Sequence, residues 1–170
     1  HDAEGGVKMV VHQPGVLAGL ELADGFVHDL AHGLAPGQAR GADLVRGQQI
    51  RHLEIGLGRI GRALVWRAVG VGMKVIACEP CPDPAFCKQY NIELTDFEDV
   101  LRRSDYVSLH SPLNAETAHM MNERTFGLMK PGSVLINTSR GGLVDEKALV
   151  AALQSGHLRG AGLDVFEIEP

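Results

Sequence analysis

From Leu53 onward, short apolar runs alternate with stretches of helical periodicity. Apolar runs of this kind are typical of strands that are buried on both faces, and helices between them are typical of covers on a parallel sheet. After a first run that begins near Leu53, the predicted strands are 73–78, 91–94 (short), Tyr106–Leu109, 133–138 and 160–165. The pattern predicts an α/β fold with a doubly wound parallel sheet.

Capping signals predict where the covering helices begin. Thr95 and Glu98 have capping-box spacing and predict a helix through Arg103, Asn122 predicts one through residue 129, and Asp145 predicts one over Glu146–Gln154. After the first strand, 3.6-residue spacing predicts a helix that packs on the sheet. Its buried face is predicted to carry Ile60, Ala63, Leu64, Ala68 and Val71.

Residues 1–51 have a weaker pattern. Residues 8–11 could form a strand, and 16–34 have helical spacing weakened by Gly19, Gly25 and Gly33, while 36–51 resemble a loop. We therefore expect 1–51 to be a crossover or linker region and 52–170 to be the α/β domain.

Glu54 conflicts with this pattern, because it lies inside the first predicted strand. An unpaired carboxylate that is buried on either face of a sheet is costly. Either a helix residue pairs with it, or the strand lies nearer an edge than usual.

A glycine-rich loop, Gly56-Leu57-Gly58-Arg59-Ile60-Gly61, follows the first strand and opens the first helix. In a Rossmann-type domain the first glycine permits a tight turn, the second lets backbone approach a pyrophosphate, and the third lets helix and sheet pack closely. Glu79, which lies 23 positions after Gly56, ends the second strand. Its carboxylate would accept hydrogen bonds from ribose hydroxyls and repel a 2′-phosphate, so the loop predicts NAD rather than NADP.

Composition narrows the class of partner. The formal net charge of −5, the single Trp and the two Tyr argue against a nucleic-acid-binding surface. We see no apolar run near the roughly 20 residues of a membrane helix and no signal peptide, so we expect a cytoplasmic protein with small-molecule partners. The chain begins without Met, so we expect it to be a fragment of a longer protein.

Two groups of residues raise the question of zinc. Cys78, Cys81 and Cys87 include one C-x2-C spacing but no second pair. His28 and His32 flank Asp29 in a pattern like H-E-x-x-H, with a shorter acid and no evident third ligand. We therefore expect no metal site.

The most informative remaining residues follow the predicted strands, where ligands of doubly wound sheets bind. SVLINTSRGGLVDE at 133–146 and GAGLDVFEIEP at 160–170 resemble the signature segments of the D-isomer-specific 2-hydroxyacid dehydrogenases. The resemblance is collinear from about Gly56 to Pro170 and faint before it. It implies the NAD-binding domain of a two-domain protein, truncated here at its C-terminal end.

The resemblance also implies roles for individual residues. Arg140 would bind the carboxylate of the substrate, and a guanidinium can do so with two parallel hydrogen bonds. Glu169 would hydrogen-bond the catalytic histidine, which the family carries downstream of this glutamate. Asp164 would hold the nicotinamide amide, and His110 would lie beside the cofactor without acting as the acid/base. The cofactor cleft would be lined by Ser111, Pro112, Thr138 and Ser139, with backbone N–H groups of Arg59 and Ile60 at the pyrophosphate.

The implied reaction is hydride transfer between nicotinamide and C2 of a small D-2-hydroxy or 2-oxo acid, in a protein that forms homodimers as the family commonly does. A second class stays open. Similar sequences serve as NAD-sensing binding proteins of the C-terminal-binding-protein corepressor type, in which the fold reports cofactor occupancy.

Overall fold

The computed structural model describes residues 8–11 and 51–168, with side chains from Gly56 onward. The described residues belong to one compact unit of the chain. Their strands are β1 (Lys8–Val11), β2 (Arg51–Ile55), β3 (Lys74–Cys78), β4 (Glu93–Leu94), β5 (Tyr106–Leu109), β6 (Ser133–Asn137) and β7 (Leu158–Leu163). Their helices are α1 (Arg59–Gly70), α2 (Pro84–Tyr90), α3 (Phe97–Arg103), α4 (Glu123–Leu128) and α5 (Glu146–Gln154), with a 3₁₀ turn at Gly141–Leu143.

The strands form one parallel sheet in the order β1-β7-β6-β5-β2-β3-β4. The chain runs outward from β2 through β3 to β4 and then returns to β5 on the other side of β2. This reversal creates a switch point between β2 and β5, where ligands of open α/β sheets bind. The doubly wound fold predicted from the sequence is confirmed.

Two apolar clusters cover the sheet. The larger one joins β5, β6 and β7 to α3, α4 and α5, and its fully buried members include Leu101, Leu109, Phe126, Leu135 and Leu149. The smaller one joins α1 and α2 to β3 through Val65, Ala68, Val75, Ala77 and Cys87. Packing of the helices on the sheet therefore fixes the positions of the strand ends.

Most predicted boundaries hold to within one or two residues. Helix α5 begins and ends as predicted, with the Asp145 carboxylate accepting from the N–H groups of Lys147 and Ala148, and Asn122 caps α4 in a capping box. The predicted cap of α3 is wrong by one residue. Asp96 is the N-cap and accepts from Asp99 N at 2.8 Å, because the Thr95 hydroxyl instead donates to the Asp99 carboxylate at 2.9 Å.

The predicted buried face of α1 is right at Ala68, only partly covered at Ala63 and Leu64, and wrong at Ile60 and Val71. Its buried residues are Gly61, Val65 and Ala68, whereas Ile60 is 66% exposed and Val71, just past the helix, is 76% exposed. The physical reason is that the third glycine of the loop faces the sheet. The buried stripe therefore continues from Gly61 at i+4 and i+7.

Helix α2 was not predicted. Asp83 caps it by accepting from the N–H groups of Ala85 and Phe86, and Pro84 occupies its first turn. An Asp-Pro pair is a recognised helix start, so the signal was present in the sequence.

Strand β1 confirms the possible strand at 8–11, which pairs with β7. The predicted helix at 16–34, the loop up to residue 50 and the pair His28 and His32 lie outside the described residues.

Glu54 lies in β2 between β3 and β5, so the edge-strand explanation for it is wrong. Its side chain is not among those described.

Helix α5 offers a test of the packing. Leu149 is 1% exposed and its neighbour Val150 is 44% exposed. We expect Leu149→Ala to lower the free energy of unfolding by about 2–5 kcal/mol through the cavity it leaves. Val150→Ala should change it by no more than about 0.5 kcal/mol. Urea unfolding followed by circular dichroism measures both, and equal losses would contradict the assigned buried face.

Candidate functional site

The turn out of β2 requires glycine. Gly56 has φ +99°, and a Cβ there would lie 2.9 Å from the carbonyl oxygen of His110. No other residue fits both the backbone conformation and this close approach. The glycine loop and the residues that follow β5 therefore meet at the switch point.

Gly58 differs, because nothing in the local structure requires it. Its φ is −69°, and a Cβ built on it meets nothing within 4 Å. It is the N-cap of α1, which has no side-chain cap and no acidic residue in its first turn. The start of this helix thus combines open space beside Gly58 with the partial positive charge of an uncapped helix end, as an anion site requires.

Glu79 lies against the same loop. Its Oε2 accepts from Leu57 N at 2.7 Å, and its Oε1 accepts from Cys81 N at 3.0 Å. Each carboxylate oxygen retains acceptor capacity after one such bond. The side chain is thus fixed at the loop and can still accept from a ribose hydroxyl.

Arg62 braces the loop from α1, a role that the sequence did not reveal. Its Nε donates to Leu57 O at 3.1 Å, and its guanidinium pairs with Asp83 at 2.9 Å and lies over the Phe86 ring. The backbone N–H of Phe86, followed by the Arg62 side chain, holds the pKa of Asp83 below its ordinary value. The pair is substantially exposed, so we expect it to orient the loop more than to stabilise the fold.

His110 follows β5 in the cleft. Its Nε2 lies 2.9 Å from the Ser108 hydroxyl, while its buried Nδ1 has no hydrogen-bond partner in the described part of the chain. Burial lowers the pKa of the imidazole, which favours the neutral ring. Ser111 and Pro112 continue this backbone away from the strand, and Pro112 O accepts from Thr117 Oγ1 at 2.6 Å.

The loop after β6 is shaped by Asn137, a buried residue that sequence reasoning did not assign to the site. Its amide donates to Arg140 O at 2.9 Å and its carbonyl accepts from Ser139 N at 3.1 Å. The Ser139 hydroxyl donates to Leu109 O at 2.6 Å, which joins this loop to the end of β5. Thr138 is exposed between them.

Arg140 projects from this loop with an exposed side chain. Its guanidinium donates to Ser139 O at 2.7 Å and makes no ion pair with any carboxylate among the described residues. It lines an open cleft of about 510 Å³ with Leu113, Ser139, Gly141, Gly142, Val165, Phe166 and Glu167. A free guanidinium in an open cleft can receive a carboxylate.

The segment after β7 closes one side of this cleft. A Cβ on Gly141 would lie 1.9 Å from the backbone of Phe166, so glycine is required for the segment to dock there. Asp164 is exposed at the strand end, with its backbone N–H donating to Asn137 O at 3.0 Å. Glu169 lies outside the described residues.

The predicted site residues that the structure describes thus lie at the carboxyl ends of β2, β3, β5, β6 and β7 or at the start of α1, all on the same side of the sheet. In the described ranges, no three His, Cys, Asp or Glu residues are arranged to hold a metal ion.

Cys78 and Cys87 are free thiols whose pKa values are raised by burial. No helix in the part of the chain that the structure describes is long and apolar enough to span a bilayer.

The buried imidazole of His110 predicts a pH dependence of stability. Its pKa is lowered in the folded state, so below the ordinary value of about 6.5 the unfolded chain binds a proton that the folded chain resists. The free energy of unfolding should therefore fall as pH drops through about 6.5, and His110→Gln should make that fall shallower. Urea unfolding at several pH values measures both slopes, and equal slopes would contradict the assignment.

A family model described as the D-isomer specific 2-hydroxyacid dehydrogenase, NAD binding domain, matches residues 35–170. A glyoxylate reductase of Thermococcus litoralis is 52% identical over 116 residues, which are 68% of this chain and 35% of that protein. A D-3-phosphoglycerate dehydrogenase of Mycobacterium leprae is 47% identical over 116 residues, 68% of this chain and 22% of that protein. The chain thus spans about a third or less of the length of these relatives.

Solved structures agree with these relatives. The NAD-complexed D-isomer specific 2-hydroxyacid dehydrogenase of Lactobacillus delbrueckii ssp. bulgaricus has a TM-score of 0.68 and 36% identity, over 83% of this chain and 43% of that one. The D-lactate dehydrogenase of Lactobacillus jensenii with NAD⁺ has a TM-score of 0.67 and 34% identity, over 74% of this chain and 38% of that one. NAD is the cofactor of this domain, and the open space at Gly58 and the uncapped helix suit it. The chain belongs to the D-isomer specific 2-hydroxyacid dehydrogenase family, by its NAD binding domain.

Proposed function

We propose that this chain is the cofactor-binding part of an NAD-dependent dehydrogenase acting on a small D-2-hydroxy or 2-oxo acid. The observation that carries the proposal is Gly58, a glycine with an ordinary backbone and empty surroundings at an uncapped helix start. At this N-cap several polar residues would serve the helix as well as glycine, but the absence of a side chain lets a pyrophosphate approach. When bound, NAD supplies the hydride acceptor at its nicotinamide ring.

The residues of the chain bind the cofactor and orient it. The N–H groups of Arg59 and Ile60 hold the pyrophosphate, and Glu79 accepts from the adenosine ribose. Ser111, Pro112, Thr138 and Ser139 line the cofactor cleft, and Asp164 holds the nicotinamide amide. These roles rest on the family resemblance and on the position of each residue at the strand ends.

Arg140 grips the carboxylate of the acid and polarises the adjacent carbonyl. Glu169 orients the acid/base histidine that the family carries downstream and raises its pKa. The names of the relatives support a small 2-hydroxy or 2-oxo acid as substrate, since they include glyoxylate and D-3-phosphoglycerate. Nothing in the relatives or the geometry favours the NAD-sensing corepressor, and we do not propose it.

We also propose a domain organisation, an oligomeric state and a location for the protein. Residues 52–170 form the NAD-binding domain of a two-domain protein, and β1 adds a strand to the sheet of this domain. The whole protein acts as a homodimer in the cytoplasm. The resemblance to the family and the small share of each relative that this chain covers support the second domain. Sedimentation of the full-length polypeptide would test the dimer.

The role of Gly58 can be separated from folding. We expect Gly58→Ala to lower the free energy of unfolding by no more than about 1 kcal/mol, because alanine is a poorer N-cap than glycine, but to weaken NADH binding at least about tenfold, because the new methyl occupies the approach of the pyrophosphate. Gly127→Ala is the matched control, since Gly127 also has open surroundings and lies in α4, away from the strand ends. It should bind NADH like the parent. Calorimetric titration measures both, and parental binding by Gly58→Ala would contradict the pyrophosphate site.

Glu79 should set the choice between cofactors. We expect the parent to bind NADH more tightly than NADPH, and Glu79→Gln to narrow the difference by about tenfold because one repulsive charge is removed. Glutamine keeps one acceptor oxygen, which can serve Leu57 N in the glycine loop, and gives up only the bond from Cys81 N outside that loop. Titration with both nucleotides measures the preference. Equal affinities in the parent would sink the ribose assignment.

A further inference from the structure

The cleft that contains Arg140 also contains an acid. Glu167 lines it together with Arg140, yet no ion pair joins them. The Glu167 carboxylate is instead bound by His119, with 2.8 Å between Oε1 and Nε2. An acid of the protein and the carboxylate of a substrate would compete for the same guanidinium. Among the described residues that line this cleft, Glu167 is the one acid, and His119 binds its carboxylate.

His119 has an uncommon backbone conformation that hydrogen bonds hold in place. It has φ +49°, an uncommon conformation for a residue other than glycine. Its N–H donates to Gly142 O at 2.8 Å, two residues beyond Arg140, and its carbonyl accepts from the Asn122 amide at 2.9 Å. Both backbone groups are thus held by residues that flank the cleft and cap α4. The strained conformation is maintained by these neighbours, and it delivers the imidazole to Glu167.

Glu167 is held from its other side as well. Its backbone N–H donates to Glu146 Oε1 at 2.8 Å, at the start of α5, and the segment before it docks on Gly141. Glu146 is therefore engaged by backbone rather than by Arg140. The backbone of Glu167 stays beside the cleft whatever its side chain contacts, so a released carboxylate would remain within the same cleft as Arg140.

We propose that His119 is a positioning residue for substrate binding, which holds the Glu167 carboxylate and so keeps Arg140 free for the carboxylate of a 2-oxo or 2-hydroxy acid. This inference rests on the proposed function, because it requires Arg140 to bind the substrate. His119 itself touches neither cofactor nor substrate in this account. It acts on substrate affinity through Glu167.

The expected effect is moderate. His119 and Glu167 are 47% and 43% exposed, and hydrogen bonds and ion pairs at such exposure are weak. A competing pair between Arg140 and a released Glu167 would be equally exposed to solvent. It should therefore weaken substrate binding by up to about fivefold rather than abolish it.

The test uses the full-length polypeptide that carries this segment, with glyoxylate as the probe and NADH saturating. His119→Asn is the main variant, because asparagine tolerates positive φ while its side chain ends short of the Nε2 position. The companions are Glu167→Gln, the double variant and Arg140→Ala. KM and kcat for glyoxylate and the Kd of NADH are measured for each.

We expect His119→Asn to raise KM about fivefold with kcat within about twofold and an unchanged Kd of NADH. Glu167→Gln should keep the parental KM or lower it. The double variant should return KM to within about twofold of the parent, because glutamine carries no charge to compete for Arg140. That rescue is the readout which a merely structural strap would not produce.

A double variant as impaired as His119→Asn would overturn the inference and leave His119 as a strap for the segment after β7. A parental KM in His119→Asn would overturn it too. These failures are distinguishable from failure of the proposed function. If Arg140→Ala keeps the parental KM, Arg140 does not bind the substrate, and the proposed substrate site and this inference both fall. If His119→Asn does not fold, a parental KM in His119→Ala would equally refute the inference.

Discussion

The close approach of Gly56 to the backbone of His110 is the constraint on which the rest of the site depends. Because a side chain at Gly56 would collide with that carbonyl, the turn out of β2 can lie directly against the end of β5. From this turn the chain enters α1, which begins without a side-chain cap beside the open space at Gly58. Glu79 and Arg62 then hold Leu57 from two sides. Gly56, which the backbone turn requires, thus positions the start of α1 at Gly58, where we propose that the pyrophosphate binds.

The second half of the site depends on similar close contacts. Gly141 allows the segment after β7 to dock on the loop that carries Arg140, and Asn137 fixes the backbone of that loop. The Ser139 hydroxyl joins the loop to Leu109 at the end of β5. The two halves therefore share β5, so the cofactor cleft and the carboxylate cleft are supported by the same strand.

The alternation of strands and helices was predictable because local signals carry it. Buried parallel strands are apolar throughout, and the N-cap residues Asn122 and Asp145 indicate where their helices begin. The buried face of α1 was not predictable from periodicity alone, because Gly61 belongs to that face and counts as neither apolar nor polar in such a pattern. Helix α2 was missed although Asp83 and Pro84 signal its start.

Within the site, motif positions were predictable and long-range partners were not. The glycine loop, Glu79 and Arg140 stand out from neighbouring residues in the sequence. The bond between His119 and Glu167 joins residues 48 positions apart, and no local pattern marks either of them. The same holds for the brace of Arg62 on Asp83, which depends on a helix that was not predicted. Contacts of this kind arise from the packing of separate elements, so they require the fold.

The most direct test of the account is an NMR titration of the isotope-labelled chain with NAD⁺, which reports on every backbone amide separately. If the start of α1 holds the cofactor, the amide signals of Leu57, Arg59, Ile60 and Gly61 shift and saturate, since these N–H groups begin α1 or join it to Glu79. Amides of α5, such as that of Val150, should not shift. Saturation with no change at the start of α1, or an absence of binding, would contradict the claim that this helix end holds the cofactor.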